Sequence, residues 1–191
     1  MTFLLLSYPG KGVTFSLTID TPLKVFFVRS KEQNLCPCCS GDLKVIGSRP
    51  RKCVNSVGER ITVIIRRLRC VKCQRIHHEL PDMLVPYKRH IAHSIESVIA
   101  DDHELSVTAD ESTLKRWRNW FNEKADYFQG CLKSAAIRYG QESVEDESAL
   151  PESKLQRIWH YVGNAPGWLA RIVRAITNLN LWIHTRFAFC P

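Results

Sequence analysis

The 191-residue sequence predicts an α+β chain. It reads as a small three-stranded ribbon with an N-terminal β extension, followed by an all-helical region. Three observations lead there. Two Cys-x-x-Cys pairs, Cys36-Pro37-Cys38-Cys39 and Cys70-Val71-Lys72-Cys73, bracket thirty residues rich in Val, Ile and Arg. Alternation of period two runs through that insert. Beyond Pro81 and Pro86 the apolar spacing becomes helical.

The cysteine spacing carries chemistry. A two-residue gap lets both sulfurs of a pair curl onto one cation, and two pairs complete a tetrahedron about 2.3 Å from a metal. The reading is a four-thiolate zinc ribbon with ligands Cys36, Cys39, Cys70 and Cys73 and cofactor Zn2+. Cys38 could replace Cys39, although the spacing favours Cys36 with Cys39. Disulfides are the first competitor, since eight cysteines is an even number. The Met1–Leu6 run lacks a basic n-region and ends at Pro9 and Gly10, so a signal peptide is not expected. A soluble cytoplasmic protein follows, and reduced cytosol disfavours disulfides. A thioredoxin-like pair lacks its surrounding βαβ pattern. Cys53, Cys131 and Cys190 fit no pair and read as ordinary thiols. His77 and His78 are rival ligands by position, but four cysteines already close the site, so they are expected to decorate the last strand.

Charge is concentrated on the same stretch. The chain carries a net +8, and residues 36–90 hold twelve Lys/Arg against four Asp/Glu. Residues 91–191 hold eleven against thirteen. A local positive field on a small module suits a polyanion. No run approaches the eighteen apolar residues of a membrane span, so no membrane partner is expected.

In order, residues 1–35 form a β-leaning extension. Its apolar runs are Phe3–Leu6, Val13–Ile19 and Leu23–Val28. The ribbon covers 36–80. Leu43–Ile46 and Lys52–Val54 read as two short strands joined through Gly47 and Pro50, and Arg60–Arg69 as the clearest strand. Ile76–Leu80 reads as the last strand. Residues 81–90, with two prolines, read as an extended linker. The region 91–140 is helical and helix-turn-helix-like. Ile91, Ile95, Val98 and Ile99 make a first stripe, and Asp110 and Glu111 suit a helix start. Leu114, Trp117 and Phe121 then fall on one face. Phe128–Tyr139 reads as a further helix. Within the C-terminal region 141–191, Gln141–Pro151 is an acidic exposed loop. Leu155, Ile158 and Trp159 resume helical spacing, and Trp168–Leu179 makes a core-forming stripe.

These motifs resemble a known family. The ribbon and the segment after it are similar to the N-terminal region of bacterial insertion-sequence transposases. There, Cys-Pro-x-Cys and Arg-x-Arg-Cys-x-x-Cys precede a helix-turn-helix. The corresponding residues are Cys36-Pro37-Cys38-Cys39 and Arg67-Leu68-Arg69-Cys70-Val71-Lys72-Cys73. Leu80-Pro81 and Leu84-Val85-Pro86-Tyr87-Lys88-Arg89 resemble the family's linker. Glu111–Trp117 resembles the start of its recognition helix. The chain as a whole, over roughly residues 34–185, resembles a bacterial family of uncharacterised proteins with this plan. Asp102–Ala109 is short for a first helix with its turn; that helix falls at Ser94–Asp101 or the motif is degraded.

The expectation is a DNA-binding protein without a catalytic domain. Arg66, Arg67, Arg69, Lys72, Arg75, Lys88 and Arg89 would contact phosphates. Ser112, Thr113, Lys115, Arg116 and Asn119 would reach base edges. The chain is not expected to be an enzyme: no Ser/His/Asp or Cys/His set has interpretable spacing, and too little chain remains for a nuclease domain. The rival is a protein–protein adaptor, with the ribbon as scaffold and the Trp-rich helices as docking surface.

Overall fold

A computed structural model of the chain describes residues 15–20, 25–30, 35–101, 107–140, 153–182 and 188–189. Along it run β1 (Phe15–Asp20), β2 (Val25–Ser30), β3 (Leu43–Val54), β4 (Arg60–Cys70) and β5 (Ile76–Glu79). Then come α1 (Ala92–Ile99), α2 (Glu111–Arg138), α3 (Lys154–Val162), α4 (Trp168–Asn178) and β6 (Ala188–Phe189). The class is α+β, as the sequence predicts. The Phe3–Leu6 run, the acidic stretch 141–151 and Cys190 lie outside the described residues. Among the described residues no helix is long and apolar enough to cross a membrane.

The sheet is built around β4. One edge of β4 takes β3 antiparallel, from Leu43 opposite Cys70 to Val54 opposite Arg60. The other edge takes β5 antiparallel at Arg67–Arg69 and β2 parallel at Thr62–Ile64. β1 pairs with β2, and β6 with β5. The N-terminal extension therefore joins the ribbon's own sheet. Where the sequence suggests two short strands, β3 is one strand of 12 residues. Its register shifts between Val45 and Gly47, and Gly47 has φ +150°. The expected break is thus a bulge that the strand absorbs. Pro50 is tolerated because β4 lies on only one side of β3 there.

Alternation along β4 sets the layers. Ile61, Val63 and Ile65 are buried and share one core with Trp117, Phe121, Leu169 and Ile172. Residues 81–90 differ from the expected extended linker. They fold into two turns, closed by Leu84 N to Pro81 O (2.9 Å) and Lys88 N to Val85 O (3.1 Å). Leu84 and Val85 are fully buried. Arg51 donates to the carbonyls of Val85 and Lys88, and Val54 bonds Arg89 and Ile91 through its backbone. The connector is drawn in because its apolar residues complete the layer between sheet and helices.

α2 has 28 residues, about 42 Å at 1.5 Å per residue. The separate helix expected at Phe128–Tyr139 is its second half. Nothing between Asn122 and Tyr127 breaks a helix, and Phe121, Ala125 and Phe128 continue the buried stripe. Asp110 caps its start, accepting from Thr113 N at 2.7 Å. Phe121 meets Trp168 edge-on at 5.6 Å, and Phe128 stacks on Trp182 at 5.4 Å. Residues 100–110 separate α1 from α2, a longer span than the three or four residues of a helix-turn-helix turn.

The α3–α4 corner uses two charges. Buried Glu96, from α1, accepts from Gly167 N (2.6 Å) and Leu169 N (3.2 Å) at the start of α4. A carboxylate there satisfies two otherwise orphaned donors and suits the helix dipole. Arg171 donates to the carbonyls of Val162, Gly163, Ala165 and Pro166. Arg174 grips Asp82 through both carboxylate oxygens, tying α4 to the connector.

Candidate metal centre and basic face

The two Cys-x-x-Cys segments fold as near copies of one turn. Cys36 N donates to Gly41 O, and Cys70 N to Arg75 O, each five residues on. Ser40 N returns to Cys36 O, and Gln74 N to Cys70 O. Ser40 (φ 54°) and Gln74 (φ 61°) both take the left-handed conformation that closes such a loop. A further bond, Val71 N to Asp42 O at 2.9 Å, joins the turns. Gly41 lies where they touch: a methyl group there would sit 2.8 Å from Lys72 Cβ and 3.1 Å from Cys70 Sγ.

This pairing brings four sulfurs together. Sγ of Cys36, Cys39, Cys70 and Cys73 all lie within 4.8 Å of one another. Cys36 and Cys73 are 3.6 Å apart, and Cys39 and Cys70 3.5 Å. A tetrahedral ion with bonds of about 2.3 Å would need edges of about 3.8 Å. The set fits a four-thiolate metal ion. Burial pushes the Cys36 thiol up. The N–H of Cys73 and then that of Lys72 outweigh desolvation at Cys70 and draw its thiol down to about 6. One sulfur is thus already disposed to the thiolate form a metal requires.

Cys36, Cys38 and His77 form a second, three-membered grouping. His77 is more than a decoration of β5. It is fully buried, with Nε2 3.3 Å from Cys36 Sγ. With Cys36 bound to a metal, this imidazole would hold the ligand from outside the tetrahedron. Sequence spacing did not show this, because the contact depends on β5 pairing beside Leu68.

The expected phosphate contacts divide. Arg69, Lys72, Arg75 and Arg89 are exposed, and Arg67 and Lys88 half-buried. Arg66 is the exception. Its guanidinium forms a two-point ion pair with the carboxylate of Glu79, which is 0% exposed. Glu79 raises the Arg66 pKa and holds the charge inside. Arg66 is therefore a structural cation rather than an outward contact.

Register adds two residues that the sequence reading missed. Lys44 lies opposite Arg69, and Gly47 opposite Arg67. Arg49 lies opposite Ile65, two residues from Arg67 on the same face. Directly paired residues share a face, so Lys44, Arg49, Arg67 and Arg69 all point to the side that carries Ile61 and Val63 farther along. His78, opposite Arg67, joins them. Burial, then Arg49 and Arg67, push its pKa down.

The expected base-reading residues lie at the other end. Gly58, in the β3–β4 turn, packs so closely on Thr108 that a methyl group there would come within 2.6 Å of it. The start of α2 therefore sits near the hairpin tip. The four-cysteine site lies one strand length away, about 30 Å over the ten steps from Arg60 to Cys70. Ser112, Lys115, Arg116 and Asn119 are exposed. Thr113 is buried in the cap, with its N–H and hydroxyl on Asp110, which removes it from a base-reading role. Arg116 folds back onto Thr113 Oγ1 (2.7 Å) and Ser112 O (3.3 Å).

Of the tryptophans expected to form a docking surface, Trp117, Trp168 and Trp182 are buried and Trp120 and Trp159 half-buried. No curated protein and no solved structure matches the chain. Residues 36–117, from the first metal-site cysteine to the buried Trp117 of α2, are similar to a family described only as a domain of unknown function, DUF6431.

Proposed function

We propose that this protein is a zinc-stabilised DNA-binding module without catalytic activity, akin to the DNA-binding part of insertion-sequence transposases. One observation carries the reading: Lys44, Arg49, Arg67 and Arg69 converge on one face of the hairpin beside the four-cysteine site. Four cations on a rigid two-stranded frame match the spaced negative charge of a phosphate backbone. The transposase likeness rests on the cysteine signature and on Arg67-Leu68-Arg69 before the second pair. Zinc is the metal that four thiolates in a closed tetrahedron suit best. Along β4 the face runs from Arg49, opposite Ile65 and about 17 Å from the hairpin tip near which α2 starts, to Arg69, about 30 Å from it, all within one turn of duplex, about 34 Å. A duplex lying along the hairpin would meet the sheet cations and Lys115, Arg116 and Asn119 within one turn.

Fluorescence anisotropy with random-sequence duplex DNA tests this. Log affinity is expected to fall with log salt at a slope of about −4. Arg67→Ala with Arg69→Ala should flatten that slope by about 2. A salt-independent affinity, or a double variant that binds like the parent, rejects the reading. Arg116→Ala with Asn119→Ala should reduce discrimination between sequences more than overall affinity.

A second reading, the adaptor, is favoured by a different feature. Leu35 (52% exposed) and Val71 (47%) flank Asp42 at the metal-binding tip and present apolar surface to solvent. A tip that binds protein would make Leu35→Ser with Val71→Ser lose a partner while leaving DNA affinity intact.

A further inference from the structure

A cleft of about 340 Å³ opens between the connector, the middle of α2 and the residue that follows α4 by a few positions. Tyr87, Lys88, Trp120, Lys124, Phe128 and Trp182 line it. Its walls are largely aromatic. Phe128 stacks on Trp182 with ring planes 26° apart and meets Trp120 edge-on at 5.8 Å. Tyr87 stands at the mouth, 69% exposed and in a left-handed conformation (φ 62°).

Two ammonium groups belong to the same cleft. Lys88 Nζ lies over the Trp120 ring, 4.0 Å from its centroid. Among the described residues neither Lys88 nor Lys124 makes an ion pair. Burial, and then repulsion from Arg116, draw Lys88 down to about 8, with Glu123 opposing. A partly desolvated lysine on an aromatic face gains more from an incoming anion than a solvated one. The aromatic walls in turn favour a flat π-system over an aliphatic chain. The volume is at the small end of ligand sites, enough for one or two fused rings with a short acidic arm.

We infer that this cleft binds a small planar aromatic anion, with its ring against Trp120 and Trp182 and its carboxylate or phosphate on Lys88 and Lys124. Such chemistry has two sources, aromatic carboxylates and mononucleotides. The site does not depend on the DNA-binding reading, since its occupant is a free small molecule.

The test uses the full, zinc-loaded chain and four probes: 1-naphthoate, 1-naphthamide, AMP and adenosine. Calorimetry gives affinity, and NMR of the indole N–H groups of Trp120 and Trp182 gives location. At least one anion should bind saturably and shift both indole signals. Its neutral counterpart should bind about tenfold more weakly or worse, as expected for losing a charge-assisted hydrogen bond. AMP alone binding would assign mononucleotides, and 1-naphthoate alone aromatic carboxylates. Lys88→Met and Lys124→Met should each weaken the anion and spare the neutral probe; if one variant fails to fold, the other supplies the comparison. Absence of saturable binding by both anions, equal binding of the neutral probes, or shifts confined to other tryptophans would overturn the assignment.

Discussion

The β3–β4 hairpin is one continuous pair of strands, yet its two ends are held by different physics. At the helical end Cys53, Ile61, Val63 and Ile65 join a core with α1, α2 and α4. At the other end Lys44 to Pro50 are all exposed, and the buried side chains near the cysteines are Cys36, Leu68, Cys70 and His77. So few apolar groups cannot offset the entropy of ordering some thirty residues. Four sulfurs placed to share one ion would replace the missing core. The difference shows how a small sheet can reach beyond its hydrophobic support and leave a face free for charge: Lys44, Arg49, Arg67 and Arg69 stand where helices no longer cover the strands.

The largest expected effect is metal removal. A structural zinc contributes on the order of 10 kcal/mol of binding free energy to its site. Chelation should abolish amide protection over residues 43–46 and 68–78 while leaving α2 and α4 protected. If the helices exchange in parallel, the two ends are one cooperative unit and the comparison fails. Trp168→Ala acts on the opposite end. It removes a fully buried ring that Phe121 and Trp159 contact. The expected cost is about 3–5 kcal/mol in denaturant unfolding, with metal affinity nearly unchanged. A large fall in metal affinity would show that the core props up the cysteines.

Smaller still is Gly41→Ala. The new methyl would press on Lys72 Cβ and Cys70 Sγ, neither of which is the free end of a flexible chain. Overpacking of about 1–3 kcal/mol should appear in competition with a chelator and hardly at all in helix unfolding. The smallest effect is local and pH-dependent. The Ser112 hydroxyl, then the Thr113 N–H, hold Asp110 down at about 2, against an ordinary 3.8. A depressed carboxylate stabilises the folded state fully above its unfolded pKa and loses that contribution as pH falls through its folded value. The cap of α2 should therefore persist at pH 4 and fade towards pH 2. Carboxyl NMR of Asp110 reads this directly, and titration near 4 would show that the cap is weak.

Much of this was legible without coordinates. The four candidate ligands follow from spacing, because a two-residue gap already places both sulfurs of each pair. Asp110 reads as a cap, and Leu114, Trp117 and Phe121 as an inward stripe, for equally local reasons. The alternation of Ile61, Val63 and Ile65 likewise marks the buried face of β4. Other features needed partners distant in the chain. Arg66 looked like one more outward cation until Glu79, 13 residues away, claimed it. Lys44 and Arg49 carry no mark in the sequence because their alignment with Arg69 and Arg67 depends on a register shift between Val45 and Gly47. Residues 81–90 read as extended because proline statistics carry no information about the sheet that Leu84 and Val85 bury against.

The sequence by itself determined which atoms are suited to a metal, where charge accumulates and which stripes turn inward. Those properties depend on residue type and on neighbours within one turn or one strand. Tertiary structure alone decided that the connector is part of the core. It also decided that the basic face is four residues from two strands, and that Trp120, Trp182 and two lysines meet around a cleft. Each of those depends on strand register or helix packing, which set distances between residues tens of positions apart and leave no periodic trace along the chain.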